Sequence, residues 1–503
     1  MMSLSSSVQH WALADPTRLA VVYGHQRISY GELAQRTRTV AGLLRARAVG
    51  PGDIVALLMK NSAAFVELCV AISHLGAVVL PINYRLGADE VDYILQHGDA
   101  KLVCVDEDLA ANVGNANALL ITASAQFDAS LLGPQCPPVA QAHPCAPGDM
   151  FRLMYTSGTT ARPKGVIHTY QNFYWKTLDH ICELGLTRDD RLLIVGPLYH
   201  VGAFDLPGIA LLLVGGSMTI LRDFDAESVL AAIQAEQITG AWLAPIMLNR
   251  LLALKQRDDY DVRSVKWVIG GGERTPAERI HSFKSLFTQG RYIDAYGLTE
   301  TCSGDTMMQA GQEIAKIGSA GRALAHVAIE IRDHAGQALA AGEVGEICLR
   351  GPKVTSGYWR DQTRTEASFF GDWFRSGDMG YLDEDGFLFL VDRKKDMVIS
   401  GGENIASSEV ERVIYQLDII EEAAVIGLPD DRWGERVVAV VVLRDGATLT
   451  LEALQAHCRG KLGGFKIPRQ LIVTDALTRN PSGKVLKRVL RDQLSTLPVP
   501  HSS

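Results

Sequence analysis

The amino-acid sequence predicts an α/β protein with a large N-terminal domain of parallel α/β sheets, a β-rich subdomain and a small α+β C-terminal domain. Short apolar runs typical of strands alternate with helical patterns through the first 300 residues, as in parallel sheets covered by helices. After residue 317 the chain changes to short strands and turns, and the charged stretch 392–396 precedes a compact final segment. A chain of 503 residues also exceeds one comfortable core, so at least two domains are expected.

The composition is typical of a soluble globular protein, with 47% hydrophobic and 21% charged residues. A net charge of −8 argues against a nucleic-acid partner that requires a basic surface. The eight cysteines form neither a Cys-x-x-Cys pair nor a Cys/His cluster with zinc spacing. We therefore expect most of them to be small apolar core residues in a reducing compartment.

No transmembrane segment is expected. The longest apolar stretch, residues 65–82, contains Glu67, His74 and Gly76, so it is predicted to be a helix followed by a strand. The N-terminus also lacks the basic and apolar regions of a secretory signal. These features predict a cytoplasmic protein.

The first third of the chain is predicted to form an α/β unit. Residues 30–48 have helical periodicity, because Leu33, Val40 and Leu44 recur on one face with arginines between them. The same patterns predict strands at 19–23, 54–59, 77–82 and 101–105, and helices at 63–75 and 90–97. Residues 123–148 are rich in Pro, Ala and Gly and are predicted to be a meandering loop.

The next segment repeats the alternation of strands and helices. It predicts a helix at 226–236 and strands at 151–154, 191–195, 216–221, 240–243, 265–269 and 292–295. Two of these strands run into glycine-bearing loops, at 270–273 and 296–300. Since open α/β sheets bind ligands at the carboxyl ends of their strands, these loops predict a binding crevice.

The last third is predicted to contain the β-rich subdomain and the C-terminal domain. Strands are expected at 328–332, 345–350 and 386–391, and the charged segment 392–396 follows them. We place the boundary in this segment, which gives domains 1–392 and 393–503. The second domain is predicted to contain strands at 397–400, 423–426 and 437–443 and helices at 408–415, 451–461 and 484–493.

Residues 155–166 have the sequence Tyr-Thr-Ser-Gly-Thr-Thr-Ala-Arg-Pro-Lys-Gly-Val, and apolar residues on both sides predict a loop between two strands. Such a loop can direct hydroxyls, backbone N–H groups and the Lys164 ammonium at one multiply charged anion, such as a nucleotide triphosphate. It is not a Walker A motif, because Lys164 is followed by Gly165 rather than Ser or Thr. Taken alone, the stretch would be better interpreted as a Ser/Thr/Gly-rich surface turn.

Further motifs support a nucleotide site. They are Tyr296-Gly-Leu-Thr-Glu300, Trp373-Phe-Arg-Ser-Gly-Asp378, the charged segment 392–396 and Pro481-Ser-Gly-Lys484. In this order, and from about residue 10 to residue 495, the chain resembles the adenylate-forming superfamily of acyl-CoA synthetases, peptide-synthetase adenylation domains and luciferases. Within that superfamily its length resembles that of a stand-alone acyl-CoA ligase.

The resemblance implies an ATP- and Mg²⁺-dependent enzyme that converts a fatty or aromatic monocarboxylic acid to acyl-AMP and then transfers the acyl group to CoA. It also implies that the C-terminal domain is mobile. One alternative is an acyl-AMP ligase that loads a carrier protein or an amine in trans. Another is an inactive relative that only binds nucleotide. A homodimer is left open.

By resemblance, the first set of site residues binds ATP and the metal. The phosphate loop would hold the β- and γ-phosphates through Thr156, Ser157, Gly158, Thr159, Thr160 and Lys164. Thr299 would contact the α-phosphate and Glu300 would hold Mg²⁺, whereas an isolated Thr-Glu pair could simply cap a helix. Adenine would stack on Tyr296 opposite the backbone of Gly271, Gly272 and Glu273, with Asp294 accepting from its amino group. Ala161 departs from the family's usual Gly, for which we expect a modest effect.

The remaining roles implied by the resemblance lie mostly in the C-terminal part. Asp378 would bind both ribose hydroxyls, and Arg393 would contact ribose or phosphate just ahead of a hinge at Lys395. Lys484 would bridge the substrate carboxylate and the α-phosphate during adenylation only. After rotation of the domain, CoA would meet Gly401, Gly402, Trp433, Phe465 and Arg469. Without the other motifs, Asp378 would be read as a turn residue and Lys484 as a surface residue.

The acid is expected to bind near His200, which the resemblance assigns to gating of the acyl pocket and thiol channel rather than to base catalysis. A single His is otherwise more often a core residue. Gly202 and Ala203 are small, which favours room for an aliphatic chain or a bulky ring. Asp205 is expected to cap a helix or face solvent, although contact with a polar substrate group is an alternative. The sequence does not identify the acid.

Overall fold

The computed structural model describes residues 3–114, 116–122, 136–156, 162–271, 277–394, 396–400, 403–430, 433–479 and 485–495. The chain divides into two compact units. The first comprises Met1–Ile329, Leu349–Phe374 and Asp385–Leu388, and the second comprises Glu330–Cys348, Arg375–Glu384 and Phe389–Ser503. The functional boundary between residues 392 and 393 stays a prediction.

The first unit contains the alternating elements predicted from the sequence. Its strands are β1 (Leu19–Tyr23), β2 (Gln26–Ser29), β3 (Ile54–Leu58), β4 (Val78–Pro81), β5 (Ala100–Asp106), β6 (Ala118–Ile121), β7 (Met150–Thr156), β8 (Lys164–Thr169), β9 (Arg191–Ile194), β10 (Ser217–Ile220), β11 (Gly240–Trp242), β12 (Trp267–Gly271), β13 (Arg291–Tyr296), β14 (Thr306–Met307) and β15 (Ser319–Ala323). Its helices up to that point are α1 (Leu4–Ala14), α2 (Tyr30–Ala46), α3 (Ala63–His74), α4 (Ala88–His97), α5 (Tyr170–Leu184), α6 (Val201–Asp205), α7 (Leu211–Val214), α8 (Ala226–Glu236), α9 (Pro245–Leu252) and α10 (Ala277–Leu286).

These strands form two sheets. One has the order β6-β5-β3-β4-β7-β8 and is parallel except for the β7–β8 pair. In the other, the described first-unit strands follow the order β15-β14-β13-β12-β11-β9-β10-β1-β2, and the central pairs from β13 to β1 are parallel. The carboxyl ends of β12 and β13 therefore lie side by side, as the glycine-bearing loops predicted.

Helix α3 explains the longest apolar stretch of the sequence. All twelve of its residues are buried, so an apolar pattern without a polar face is what this position requires. Its N-cap, Ser62, accepts a hydrogen bond from the backbone N–H of Phe65. The stretch ends in a strand, β4, as predicted, and no described helix has the length and apolar character needed to cross a membrane.

The second unit is β-rich at its start and α+β after it. The remaining strands of the chain are β16 (Ala328–Arg332), β17 (Gly345–Arg350), β18 (Phe369–Phe370), β19 (Trp373–Leu382), β20 (Phe387–Arg393), β21 (Val398–Ser400), β22 (Glu403–Ile405), β23 (Ile420–Asp430), β24 (Gly434–Leu443) and β25 (Gln470–Val473). The remaining helices are α11 (Gln362–Ala367), α12 (Ser407–Ile414), α13 (Leu451–Cys458) and α14 (Lys487–Leu494), of which α11, like strand β18, belongs to the first unit. A five-stranded sheet has the order β22-β21-β24-β23, with β25 parallel to β24.

The predicted fold class is confirmed, and most predicted elements are present within a few residues of their expected bounds. Several elements were not predicted, among them the helices α1, α5, α9 and α10 and the strands β2, β6, β15, β19 and β25. Helix α5 shows why, since its buried face includes Lys176, Asp179 and His180 together with aromatic residues. Polar residues on a buried face blur the apolar periodicity on which sequence-based prediction depends.

Candidate active site

The predicted phosphate loop is held between two antiparallel strands. Thr156, the last residue of β7, pairs with Lys164, the first residue of β8. This register places Thr156, with its hydroxyl, and Lys164, with its ammonium, opposite each other at the end of the hairpin that adjoins the loop. The Thr156 hydroxyl oxygen is buried and has no hydrogen-bond partner among the described residues. Ser157, Gly158, Thr159, Thr160 and Ala161 lie outside the described residues.

Lys164 and Glu300 are brought together by the fold, as a shared phosphate–metal site requires. The Lys164 ammonium donates to the Glu300 Oε1 atom at 2.7 Å and to the hydroxyl of Tyr358, also at 2.7 Å. Tyr358 in turn donates to the same Glu300 oxygen at 3.0 Å. Burial and the charge of Glu300 both raise the pKa of Tyr358, so its hydroxyl remains a neutral donor.

Tyr358 was not predicted as a site residue. It is almost fully buried, and its ring lies 4.2 Å from the Lys164 ammonium. Lys164 and Tyr358 also line an open pocket of about 340 Å³, to which Arg162 and Arg364 contribute positive charge. Nothing in the sequence pairs Tyr358 with the phosphate loop, because contacts between distant segments bring them together, such as the bridge between Val166 and Tyr358 and the hydrogen bond from the Trp359 backbone N–H to the Gly165 carbonyl oxygen.

The residues present fit a magnesium ion bound together with phosphates. Glu300 supplies one carboxylate, and the described residues contain no group of three or more His, Cys, Asp or Glu side chains that could form a complete metal cage. Mg²⁺ usually takes one or two protein carboxylates and completes its shell with phosphate oxygens and water. The Lys164 ammonium at 2.7 Å compensates the Glu300 charge.

The two strand ends predicted to bind adenine lie next to each other. Gly271 at the end of β12 pairs with Ala295 of β13, and Asp294 and Tyr296 flank that position. A Cβ atom on Gly271 would lie 2.4 Å from the carbonyl oxygen of Ala295, so only glycine permits this approach. Asp294 and Tyr296 are both buried. Gly272 and Glu273 are outside the described part of the chain.

Thr299 and Glu300 begin a short turn that is fixed from behind. The backbone N–H of Thr355 donates to the Glu300 carbonyl oxygen at 2.7 Å. After Thr301, the three residues Cys302, Ser303 and Gly304 have positive φ angles of 56°, 67° and 64°. Such a run is strained for residues with a side chain and is found where surrounding contacts enforce it.

Lys353 provides those contacts. Its ammonium is completely buried and donates to the carbonyl oxygens of Ser303 at 3.1 Å and Gly304 at 2.6 Å. It also forms an ion pair with Asp305 at 3.0 Å, and Asp305 accepts from the hydroxyl of Thr301 at 2.5 Å. Lys353 was not predicted from the sequence, where it is one more lysine in a turn.

The expectation for Asp205 was wrong. Its carboxylate neither caps a helix nor faces solvent: it is fully buried, with Arg152 at 2.7 Å and Lys176 at 3.1 Å. Although burial alone would raise it, these two cations lower the pKa of Asp205. The cause of the error is that both partners lie on other elements, β7 and α5.

His200 is exposed and lies beside an indole that the sequence analysis overlooked. The His200 Nδ1 atom accepts from the backbone N–H of Gly202 at 3.0 Å, and its ring stacks on Trp242 at a centroid distance of 6.1 Å. A Cβ atom on either Gly196 or Gly202 would lie 2.4 Å from the Trp242 ring. The room expected at Gly202 is therefore filled by Trp242. The feature of the sequence that could have indicated this packing was a tryptophan near the end of the predicted strand 240–243.

Closely packed apolar side chains surround this indole. The space between them is too narrow to hold a water molecule and is bordered by Leu192, Leu193, Ile194, Val195, Ala203, Leu206, Pro207, Ala241 and Trp242. None of these residues carries a charged side chain. Trp242 thus lies among apolar side chains and also stacks on His200.

In the second unit, some of the predicted nucleotide contacts are described and others are not. Asp378 lies in β19, where its backbone N–H donates to the hydroxyl of Ser376 at 3.0 Å, and Arg393 ends β20. The Arg469 guanidinium lies 4.3 Å from the Trp433 ring centroid, and Phe465 is exposed in a short turn. Lys395, Gly401, Gly402 and Lys484 fall outside the described residues. Their roles remain predictions.

Comparison with known proteins supplies the family. The model of the AMP-binding enzymes matches residues 8–359, and the model of the AMP-binding enzyme C-terminal domain matches residues 409–484. The chain is 36% identical over 482 residues to feruloyl-CoA synthase of Amycolatopsis sp, covering 95% of this chain and 96% of the relative. It is 34% identical over 477 residues to long-chain-fatty-acid–CoA ligase FadD13 of Mycobacterium tuberculosis, covering 93% of both.

Among solved structures, a similar one is that of O-succinylbenzoate coenzyme A synthetase (MenE) from Bacillus subtilis in complex with ATP and magnesium ion. The TM-score is 0.86 at 30% sequence identity, with 97% of this chain and 99% of that chain covered. The likeness therefore extends over both units of the chain.

Proposed function

Because the chain belongs to the family of AMP-binding enzymes, we propose that it is an acid–CoA ligase that activates a monocarboxylic acid with ATP. The acid becomes acyl-AMP with release of pyrophosphate, and the acyl group then passes to the thiol of CoA. The observation that carries the proposal is the cluster of Lys164, Glu300 and Tyr358, because it joins the phosphate loop to the Thr299–Glu300 turn.

In adenylation a carboxylate must approach a phosphate although both are negatively charged. Each group of the cluster can help to reduce this repulsion. Glu300 would hold Mg²⁺, which when bound neutralises charge on the phosphates. Lys164 can exchange its contact with Glu300 for a phosphate oxygen. The Thr156 hydroxyl, which has no partner within the described part of the chain, can donate to another. Thr299 contacts the α-phosphate, and Lys484 bridges it to the acid.

CoA is the acceptor favoured over a carrier protein or an amine. Two of the curated relatives named above are CoA ligases or synthases by name. The stacked pair of Trp433 and Arg469 offers an aromatic face and a cation, which suit a nucleotide such as that of CoA. Loading of a carrier protein or an amine in trans remains the second candidate.

The acid is proposed to be compact and flat, such as a benzoic or cinnamic acid. Trp242 occupies the space beside Gly196 and Gly202, and the apolar side chains around it leave no room for a water molecule. A long alkyl chain would need that space, whereas a planar ring can stack against the indole. Relatives do not decide this point, since one is named for a feruloyl group and another for long-chain fatty acids.

Cellular location and assembly are further proposals. A cytoplasmic location is supported by the eight unpaired cysteines, six of which are buried, because a reducing compartment keeps them so. A homodimer is left as an option that light scattering of the purified protein would test.

The proposal is tested by ATP–pyrophosphate exchange over a panel of benzoic, cinnamic and fatty acids, followed by addition of CoA. We expect exchange with compact aromatic acids, and thioester and AMP once CoA is present. Lys484→Ala should abolish exchange but retain thioester formation from supplied acyl-AMP, because Lys484 serves only the first half-reaction.

Other results would contradict the proposal in distinct ways. Exchange without thioester would indicate a carrier protein or an amine as acceptor. No exchange with any acid would favour the inactive relative. Equal loss of both half-reactions in Lys484→Ala would refute the role given to that lysine.

A further inference from the structure

A fully buried polar network lies behind the Thr299–Glu300 turn. Arg152 of β7 donates from Nε to the Nδ1 atom of His168 at 3.0 Å and from Nη2 to Asp205 at 2.7 Å. The other ring nitrogen of His168, Nε2, lies 2.6 Å from the carbonyl oxygen of Thr299. Lys176 approaches Asp205 from α5 at 3.1 Å. The side chains of Arg152, His168, Lys176 and Asp205 have no exposed surface.

The chemistry of these groups fixes the direction of every hydrogen bond. A guanidinium only donates, so His168 Nδ1 must accept and its proton must reside on Nε2. His168 Nε2 therefore donates to the Thr299 carbonyl oxygen. Burial and the neighbouring Arg152 lower the pKa of His168 to about 3, so this arrangement is the same at every physiological pH.

Arg152 and His168 are also held in register by the backbone. They are cross-strand partners in the β7–β8 hairpin, whose far end carries Thr156 and Lys164. The hairpin that presents the phosphate loop thus also presents His168 to the Thr299 carbonyl. At its other end the network reaches Asp205, the last residue of the helix that begins directly after His200.

From this geometry we propose that Arg152, His168 and Asp205 are positioning residues for ATP and Mg²⁺. Through the carbonyl of Thr299 they set the place of the Thr299 hydroxyl and the Glu300 carboxylate relative to Lys164. The inference rests on the proposed function, in which Thr299 and Glu300 serve adenylation. It assigns a role to three buried residues that none of the sequence motifs contains.

Stability alone does not account for such a network. Two cations, Arg152 and Lys176, face the single carboxylate of Asp205 without any exposure to water. Buried ion pairs are often no more stable than well-packed apolar residues of similar volume, whereas they fix geometry closely. The donor role toward Thr299 further requires a polar group at His168, which an apolar core residue could not supply.

The test replaces the histidine and uses a second buried histidine as its control. His168→Leu removes the donor to Thr299, whereas the amide of His168→Gln can still accept from Arg152 and donate to Thr299. His74 is the matched control, because it is equally buried and its Nε2 lies 2.9 Å from the carbonyl oxygen of Val139, in another part of the first unit. The Kd for ATP with Mg²⁺, the KM for ATP in pyrophosphate exchange, and the unfolding temperature are measured for each variant.

We expect His168→Leu to raise the Kd and KM for ATP about 10-fold or more, as loss of a residue that orients a metal ligand does. His168→Gln should restore most of the affinity. His74→Leu should lower the unfolding temperature without changing either constant. Unchanged ATP constants in His168→Leu, or equal changes in His74→Leu, would overturn the inference while leaving the proposed function intact.

A failure of the proposed function is recognised separately. It would appear as absence of exchange in the wild-type enzyme with every acid of the panel. If His168→Leu does not fold, His168→Asn replaces it, since the shorter amide cannot span both partners. Normal ATP affinity in His168→Asn would equally overturn the inference.

Discussion

At the scale of single residues, Trp242 decides how much space lies beside His200. Sequence reasoning counted the small side chains of Gly202 and Ala203 as open room. The fold places an indole on Gly202 and on Gly196, so the missing side chains receive Trp242 rather than substrate. Gly196, Gly202 and Trp242 therefore together set the size of the space beside His200.

Trp242→Ala is predicted to shift acid selection toward fatty acids. Removing the indole opens a space beside His200 that is bordered by apolar side chains, and each additional buried methylene then contributes to transition-state binding. We expect the ratio of kcat/KM for octanoic over benzoic acid to rise about 10-fold or more. Thioester formation with paired acids is the measurement.

Trp267→Ala is the control for this change. Trp267 also packs on a glycine of the adjacent strand, Gly240, but at the opposite end of β11 from Trp242. Its loss should lower stability and leave the ratio between the two acids unchanged. A similar rise of the octanoic-to-benzoic ratio in both variants would show that loosening of the sheet, and not the space opened beside His200, changes which acid is preferred.

The cluster of Lys164, Glu300 and Tyr358 shows a different limit of residue-level reasoning. Lys164 and Glu300 were predicted because each lies in a short motif that resembles one of the adenylate-forming superfamily. Tyr358 belongs to no such motif, and contacts between distant segments, among them the bridge to Val166, bring its hydroxyl to Glu300. Site residues that lie within one short motif can be predicted from the sequence. Site residues that come together from distant segments cannot.

At the scale of elements, the turn after Glu300 depends on a backbone that glycine tolerates and most residues do not. Gly304 has φ of 64°, and a Cβ atom there would lie 2.2 Å from His180 Nε2 and 2.8 Å from Leu206. Lys353 then holds the carbonyl of the same residue at 2.6 Å. The turn that carries Thr299 and Glu300 is thus fixed by buried contacts on both sides.

Gly304→Ala is predicted to destabilise the enzyme and to impair adenylation together. The left-handed backbone costs an alanine about 1 kcal/mol, and the clash with His180 adds roughly 1–3 kcal/mol. Gly24→Ala is the matched control, since Gly24 has φ of 56° but no heavy atom within 4 Å of the added Cβ. Chemical unfolding and pyrophosphate exchange are measured for both.

We expect Gly24→Ala to lose only the backbone contribution and to keep full exchange activity. Equal losses of stability in the two variants would mean that His180 and Leu206 yield to the new methyl group. The turn would then be adaptable, and its three positive φ angles would not be a constraint on the site.

At the scale of the whole molecule, a buried carboxyl couples stability to pH. Glu67 lies in α3 with no exposed surface and pairs with Arg36 at 2.8 Å. Burial, partly offset by Arg36, raises the pKa of Glu67 from 4.5 to about 7. In the folded state the protonated form is therefore favoured up to near neutral pH.

The sign of the pH dependence follows from this shift. Below pH 4.5 Glu67 is protonated in both states, and above pH 7 it is ionised in both, so its stabilising protonation is lost between these values. We predict that the unfolding free energy of the wild type, relative to Glu67→Gln, falls by up to about 3 kcal/mol over that range. Urea unfolding of both proteins at several pH values measures it, and a constant difference would contradict it.

What the sequence determined by itself was the fold class, the order of most strands and helices, and the family's motifs. Those features are local: alternating periodicity identifies elements, and a loop such as 155–166 carries its hydroxyls and its lysine within twelve consecutive residues. Such motifs can be recognised without knowledge of the tertiary structure. The resemblance carried by these motifs then implied the reaction class.

Only the tertiary structure decided which distant residues share a space. It placed Trp242 on Gly196 and Gly202, Asp205 between Arg152 and Lys176, and Tyr358 on Glu300. Each pairing links separate elements, and burial gives it strength that an exposed contact would lack. Pocket size and the support of the catalytic turn depend on packing between elements, and no local pattern of residues records that packing.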